Sequence, residues 1–212
     1  MLSLLLSGDY QLFGIILLAI IFSLSLHEFG HAASATMLGD RTPSLAGRLT
    51  LNPASHIDIL GLAMVVLVGF GYAKPVPFNP RHIRHQWGSA AVAAAGPAMN
   101  LLLAILAINL YVWFARSGSI APDSNAALTL LVMAQINLLL MLFNLIPLGP
   151  LDGHYIMSWL LPPRLGYQYD QFNARYGTMV FLALIVLSIA GVPVFRILTQ
   201  FAGSIVPYLT FV

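Results

Sequence analysis

The amino-acid sequence predicts an all-α polytopic membrane protein, and three observations lead to that prediction. The 212-residue chain is 59% hydrophobic. Only 8% of its residues are charged, whereas a soluble domain carries about 25%. Several uncharged stretches reach the length of about 20 residues that a transmembrane helix needs. This composition excludes a soluble enzyme, and a net charge of +2 is too small for a nucleic-acid-binding surface.

Four stretches are predicted to cross the bilayer because each offers a long, mostly apolar run: residues 11–38, 89–115, 126–147 and 177–195. Residues 59–73 are uncharged but short, so we expect a re-entrant or short β-hairpin segment between the first span and the next. Residues 197–212 contain Gly203 and Pro207, and they form either a fifth helix or one that lies on the surface. The predicted fold therefore has four to five transmembrane helices plus the re-entrant segment.

The basic residues predict the orientation. If residues 59–73 dip into the membrane and return, seven basic residues share one side and Arg116 lies opposite them. The seven are Arg41, Arg48, Lys74, Arg81, Arg84, Arg164 and Arg175. If the segment crosses, this bias is much weaker, so the positive-inside rule favours the dip. We expect a multi-pass protein of the cell membrane with its N-terminus outside and its basic loops in the cytoplasm.

Residues 27–31 form the motif His-Glu-x-x-His inside the first predicted span. On a helix, His27 and His31 lie on one face and can bind one Zn²⁺, while Glu28 can act as a general base. Chance or a buried packing cluster is the alternative, but ionisable groups within a membrane are costly and usually functional. The chain has no cysteine and no second glutamate. A third ligand must therefore be an aspartate or another histidine.

Depth in the membrane narrows the choice of third ligand. His27 lies about 24 Å along a helix that begins at Gln11, in a hydrocarbon core about 30 Å thick, so the metal is expected near the inner face. Asp152 follows the span 126–147, which ends at that face if residues 59–73 dip and return. Asp123 would lie outside. Asp40 and Asp58 lie on the inner side and stay open as rival ligands.

Several motifs together resemble the site-2 protease family of intramembrane zinc metalloproteases, in its small prokaryotic branch without PDZ or CBS domains. They are residues 27–31, Gly-Pro-Ala-Met-Asn at 96–100, Asn-Leu-Ile-Pro at 144–147 with Leu-Asp-Gly at 151–153, Asn-Pro-Ala-Ser-His-Ile-Asp at 52–58 and Ala-Lys-Pro-Val-Pro-Phe-Asn-Pro-Arg at 73–81. The resemblance covers roughly residues 12–161. It implies that His27, His31 and Asp152 bind one Zn²⁺ per chain. It also implies that Glu28 deprotonates the attacking water, and that Asn144 helps to bind the substrate or its oxyanion.

Three further residues are weaker candidates for contacts with the substrate or with the metal ligands. Asn52 and His56 belong either to a self-contained loop or to the mouth of the site. Asn100, with Gly96, is expected to seat the histidine helix. Residues 47–51 are predicted to form a short strand that could pair with an unwound substrate. Asn109, Gln135 and Asn137 are expected to make hydrogen bonds between helices.

The predicted function is that of an intramembrane zinc metalloendopeptidase which hydrolyses peptide bonds in or near transmembrane segments of membrane proteins. The catalytic core is expected to span residues 1–212. Expected partners are membrane-protein substrates and the lipid bilayer, with no nucleic acid, and nothing indicates the oligomeric state. One alternative is a zinc-binding membrane transporter, which would need no base beside His27. The other is a non-proteolytic relative that acts as a membrane binding subunit.

Overall fold

The computed structural model describes residues 1–69 and 71–212, without the side chains of Ile189 and Phe195. It is 72% helical, and no strand occurs in the part of the chain that it describes. The α-helices are α1 (Leu2–Leu6), α2 (Tyr10–Met37), α3 (Thr42–Leu45), α4 (Ile59–Val68), α5 (Gly88–Arg116), α6 (Asn125–Asn144), α7 (Gly153–Leu160), α8 (Pro163–Phe172), α9 (Thr178–Ile189) and α10 (Val194–Ile205). Short 3-10 turns lie at Pro53–Ser55, Pro80–His82 and Val206–Leu209, and a π turn at Asn173–Gly177 joins α8 to α9.

Helices α2, α5 and α6 form the centre of the molecule, and each is long and apolar enough to cross a membrane. Helix α5 packs against both of the others. Small residues allow these helices to approach closely. At Gly30 of α2, a Cβ would lie 2.8 Å from the carbonyl oxygen of Ala95 on α5. The buried core is correspondingly rich in alanine, and it consists of Ala104, Ala107, Ile108, Ala134, Leu138, Met141 and Ala202.

The first three predicted spans correspond to α2, α5 and α6, but a fourth and a fifth span are not confirmed. The stretch 177–195 is interrupted after Ile189, where Gly191 takes φ +106° and Pro193 precedes α10. Helix α9 continues without a break from α8 through the π turn, and α9 and α10 have 12 residues each, so neither alone reaches the 17 or more residues that a crossing requires. The membrane protein therefore has three candidate spans among the residues described.

The segment between α2 and α5 turns back on itself. Its helix α4 is capped at the start by Asp58, whose Oδ1 accepts the N–H of Gly61 at 2.9 Å, and at the end by Gly69 with φ +83°. Ile57 pairs with Ala73 in an isolated antiparallel bridge, and the N–H of Lys74 donates to the carbonyl of His56 at 2.7 Å. Entry and exit are thus adjacent, as a re-entrant segment requires. The described residues form one bridge rather than the predicted β-hairpin, and Phe70 lies outside them.

The prediction of a strand at residues 47–51 is wrong. Gly47 lies in a turn with φ +68°, and no residue from 47 to 51 belongs to a strand. The reason is the neighbouring Arg48, which is 5% exposed. Its guanidinium turns inward and donates to the backbone carbonyls of Lys74 and Pro75. The segment that follows α4 is held by this side chain and not by strand pairing.

Candidate metal centre

Two side chains of α2 and one from the loop after α6, distant in the sequence, converge beside α2. His27 and His31 lie one turn apart on α2, and their Nε2 atoms are 3.0 Å apart. Asp152 approaches from the loop after α6. Its Oδ2 is 3.2 Å from Nε2 of His27, and its Oδ1 is 3.3 Å from Nε2 of His31. The three ligand atoms lie within 4.8 Å of one another, and both imidazoles are buried.

Hydrogen bonds on the far side of each ring set the protonation of the two imidazoles. Nδ1 of His27 lies 2.5 Å from Oδ1 of Asn100, and Nδ1 of His31 lies 2.7 Å from the carbonyl oxygen of Val92. Both partners are acceptors, so each Nδ1 carries the hydrogen in the neutral ring and each Nε2 presents a lone pair. This is the tautomer that a metal-binding histidine needs.

The donor set fits a divalent cation. With the Nδ1 hydrogens engaged by Asn100 and Val92, two imidazole lone pairs and a carboxylate face one another, and Oδ2 of Asp152 is buried without a hydrogen-bond partner. Such a group of acceptors is unfavourable unless a cation joins them. Tetrahedral zinc with bonds of 2.0–2.1 Å places its ligands roughly 3.3 Å apart, close to the separations found here. Two histidines and one carboxylate are also a ligand set that zinc enzymes use.

Gly96 of α5 leaves the space that the imidazoles occupy. A Cβ built at this position would lie 2.5 Å from Cε1 of His31 and 2.6 Å from Cε1 of His27. Any side chain here would therefore displace both rings. The prediction that Gly96 seats the histidine helix is confirmed by this contact, and the seat also shapes the metal centre.

Glu28 is buried next to His27 in the sequence, and one of its oxygens has an assigned partner. Oε2 accepts the N–H of Val76 at 3.1 Å. Val76 belongs to a proline-rich segment without helix or strand, residues 74–79, which the carbonyl contacts of Arg48 hold in place. The segment thus fixes the direction of the Glu28 carboxylate.

The two rival ligands are used elsewhere. Asp58 caps α4. Asp40 is fully buried and accepts hydrogen bonds from Thr42, from the N–H of Asn79 at 2.6 Å and from His82. Burial alone would raise the pKa of the Asp40 carboxyl, but these hydrogen bonds outweigh it and lower the pKa to about 2. Asp40 therefore anchors the proline-rich segment and is not available to a metal at the histidines.

The loop that carries Asp152 is held against the π turn between α8 and α9. Pro147 and Pro150 prevent α6 from continuing, and Gly149 takes φ +43° where its backbone touches that of Gly177. The hydroxyl of Tyr169 donates to the carbonyl of Pro147 at 2.7 Å, and the N–H of Gly149 donates to Oδ1 of Asn173 at 2.9 Å. We did not predict these two anchoring side chains. Only the break in the helix was readable from the sequence.

Each of the remaining candidate residues makes a hydrogen bond within the protein. Asn100 contacts His27, as described above. His56 is fully buried, with Nε2 2.8 Å from the carbonyl oxygen of Thr50. Asn52 caps the turn Pro53–Ser55. The amide of Asn144 donates to the carbonyl of Leu140 on its own helix at 3.0 Å. Contacts of Asn52, His56 and Asn144 with a substrate stay predictions.

Comparison with known proteins identifies relatives over most of the chain. The model of peptidase family M50 matches residues 15–118 and 113–188. YwhC of Bacillus subtilis (strain 168), named as a candidate zinc metalloprotease, is 38% identical over 175 residues, which are 81% of this chain and 80% of that protein. Rip2 of Mycolicibacterium smegmatis, named in the same way, is 33% identical over 174 residues, or 80% of this chain and 64% of Rip2. Rip2 of Mycobacterium tuberculosis (strain H37Rv) is 32% identical and also matched over 64% of its length. No solved structure matches the chain significantly.

Proposed function

The chain belongs to peptidase family M50, the site-2 protease family of zinc metalloproteases, and we propose that it hydrolyses peptide bonds in or near the transmembrane segments of membrane proteins. The observation that carries the proposal is the convergence of three acceptors, the buried His27 and His31 and the partly buried Asp152, beside the chain's only glutamate. Residues 1–212 act as a single catalytic core in this proposal.

The three acceptors would hold zinc and leave a fourth coordination position open, as catalytic zinc sites do. Zinc, when bound there, supplies a Lewis acid that polarises the scissile carbonyl and lowers the pKa of water. The chain's own residues supply proton transfer. Glu28 takes a proton from the attacking water and later delivers it to the leaving amine. The N–H of Val76 orients the carboxylate for this exchange.

Asn144 is proposed to donate a hydrogen bond to the oxyanion that forms when water attacks the carbonyl. It is the last residue of α6 and lies eight positions before Asp152. Its amide donates to Leu140 in the structure, so Asn144 must rotate about its side-chain torsions when a substrate binds. A donor of this type contributes about 10²–10³-fold to catalysis in other hydrolases.

The protein is proposed to lie in the cell membrane with its N-terminus outside and the metal centre towards the cytoplasmic face. The adjacent ends of the re-entrant segment, at Ile57 and Ala73, support this orientation. A segment that returns leaves seven basic residues on the side where α2 and α6 end, and basic loops favour the cytoplasm. Peptide bonds deep in a helix are hydrogen-bonded and shielded, so substrates must unwind locally before they are cut.

The test uses the full chain reconstituted in lipid vesicles together with membrane proteins from the source cells, after the detergent used for extraction has been removed. Wild-type protein is compared with Glu28→Gln, which is nearly the same size and leaves the three proposed ligands unchanged. New peptide termini identified by mass spectrometry should appear with wild type and fall by at least 10²-fold with Glu28→Gln. Equal cleavage by both would refute the role of Glu28. Zinc uptake into the vesicles without any cleavage would instead favour a transporter.

A further inference from the structure

A row of buried polar side chains leads away from the metal centre into the helix bundle. Oδ1 of Asn100 lies 2.5 Å from Nδ1 of His27, and Nδ2 of Asn100 donates to Oδ1 of Asn137 at 2.8 Å. Nδ2 of Asn137 then donates to Oγ of Ser23 at 2.8 Å and to the carbonyl of Met133 at 2.8 Å. Three helices are linked in this way, since Ser23 lies on α2, Asn100 on α5 and Asn137 on α6.

Burial makes the direction of these hydrogen bonds important. The side chains of Ser23, Asn100 and Asn137 are 0% exposed, so no bulk water can replace a missing partner. A buried donor that faces a donor, or an acceptor that faces an acceptor, is strongly unfavourable. Each amide must therefore point its N–H groups at acceptors and its oxygen at a donor.

The direction is fixed at the end of the row that is furthest from the metal centre. The backbone carbonyl of Met133 can only accept, so Asn137 must turn its Nδ2 towards it. Oδ1 of Asn137 then faces Asn100, so Asn100 must donate to it from its own Nδ2. This leaves Oδ1 of Asn100 for His27. An acceptor at Nδ1 requires a hydrogen there and leaves the lone pair on Nε2, which faces Asp152.

We propose that Asn137 is a positioning residue for the metal centre: it transmits the polarity of the Met133 carbonyl through Asn100 and so selects the metal-binding tautomer of His27. The inference rests on the proposed zinc site. His31 needs no such relay because its Nδ1 meets a backbone carbonyl directly, that of Val92. Without Asn137, the amide of Asn100 is free to flip, and His27 would then turn an N–H towards the metal.

The test measures zinc affinity of the purified full chain by competition with a chromophoric chelator, at a temperature where circular dichroism shows each variant folded. Asn137→Leu should weaken zinc binding about tenfold, at the low end of the 10–100-fold loss typical when a partner of a metal-binding histidine is removed. In the Asn100→Leu background the same substitution should cause no further loss. Bound Co²⁺ should also show an altered visible spectrum in Asn137→Leu.

Asn109 provides a matched control. Its Nδ2 donates to the carbonyl of Ile105 on its own helix and to that of Leu209, and its Oδ1 accepts the N–H of Phe211. Asn109→Leu therefore removes the same number of side-chain hydrogen bonds, one within α5 and two to the C-terminal segment, and none of them leads to the metal. It should lower thermal stability and leave zinc affinity within about twofold of wild type, since no outer partner of a ligand is lost.

The outcomes separate this inference from the proposed function. Wild type without zinc affinity would refute the zinc site itself. Wild type that binds zinc, with Asn137→Leu no weaker than Asn109→Leu, would overturn only the role of Asn137. If Asn137→Leu does not fold, nuclear magnetic resonance of ¹⁵N-labelled histidine in metal-free wild type shows which ring nitrogen of His27 carries the hydrogen. The neutral His27 ring should carry its hydrogen on Nδ1, and a hydrogen on Nε2 would overturn the inference.

Discussion

The substitution Gly96→Ala tests the shape of the metal centre with the addition of one methyl group. In an ordinary helix this change stabilises by up to about 1 kcal/mol, because alanine has the higher helix propensity. At Gly96 the new Cβ would meet Cε1 of His31 at 2.5 Å and Cε1 of His27 at 2.6 Å. Both contacts are too short to persist, so either the rings or helix α5 must move.

The size of the required movement predicts the effect. Carbon atoms pack at about 3.5–4.0 Å, so the rings must retreat by roughly 1 Å. The outward side of each ring is already occupied, by Asn100 for His27 and by the Val92 carbonyl for His31. Metal–ligand distances tolerate only about ±0.2 Å. We therefore expect zinc affinity to fall by at least about tenfold and stability to fall by about 1–3 kcal/mol, as overpacking does.

Gly14→Ala is the control, because Gly14 lies on α2 with nothing within 4 Å of a Cβ at that position. Zinc affinity is measured by chelator competition and stability by thermal unfolding in detergent. Gly14→Ala should match wild type in zinc affinity and be at least as stable. If Gly96→Ala bound zinc as tightly as Gly14→Ala, the claim that the two imidazoles are held against Gly96 would be refuted.

Two further predictions concern the segments around the site. Asp40→Asn removes the charge that holds Asn79 and His82 and should cost about 1.5–3 kcal/mol at neutral pH, measured by thermal unfolding. The folded pKa of Asp40, about 2, lies below its ordinary value of 3.8, so the stabilisation by Asp40 is complete above about pH 4 and disappears towards pH 2. The difference in unfolding free energy between wild type and Asp40→Asn should therefore vanish over that range. A difference that stays constant would contradict the assignment. Tyr169→Phe removes the hydrogen bond to the Pro147 carbonyl and should lower the free energy of unfolding by about 0.5–1.5 kcal/mol, with a few-fold loss of zinc affinity. Unchanged unfolding and unchanged zinc affinity would show that Tyr169 does not support the Asp152 loop.

Residues that sequence periodicity and spacing connect were predictable. The spacing of His27 and His31 requires one helix face, and the uncharged runs define α2, α5 and α6. Membrane depth and the charge of the loops placed Asp152 at the same face as the histidines, but they left Asp40 and Asp58 open as rival ligands. Only the resemblance to the site-2 protease family singled out Asp152.

Features that depend on tertiary packing were not predictable. The strand expected at 47–51 failed because Arg48 turns inward to two backbone carbonyls, and no local pattern indicates that choice. The anchoring of the Asp152 loop by Tyr169 and Asn173 depends on a π turn, which has no sequence signature here. Asn137 was expected to bond between helices, but only its packing in the folded protein shows that its bonds lead to His27.

Zinc content of the purified chain tests the central claim most directly. Elemental analysis should find one zinc per chain in wild type and in Glu28→Gln, and far less than one in Asp152→Asn. Asp58→Asn, at a residue that the sequence left open as a ligand and that caps α4 in the structure, should keep its zinc. Full zinc in Asp152→Asn, or loss of zinc in Asp58→Asn alone, would contradict the metal centre described here.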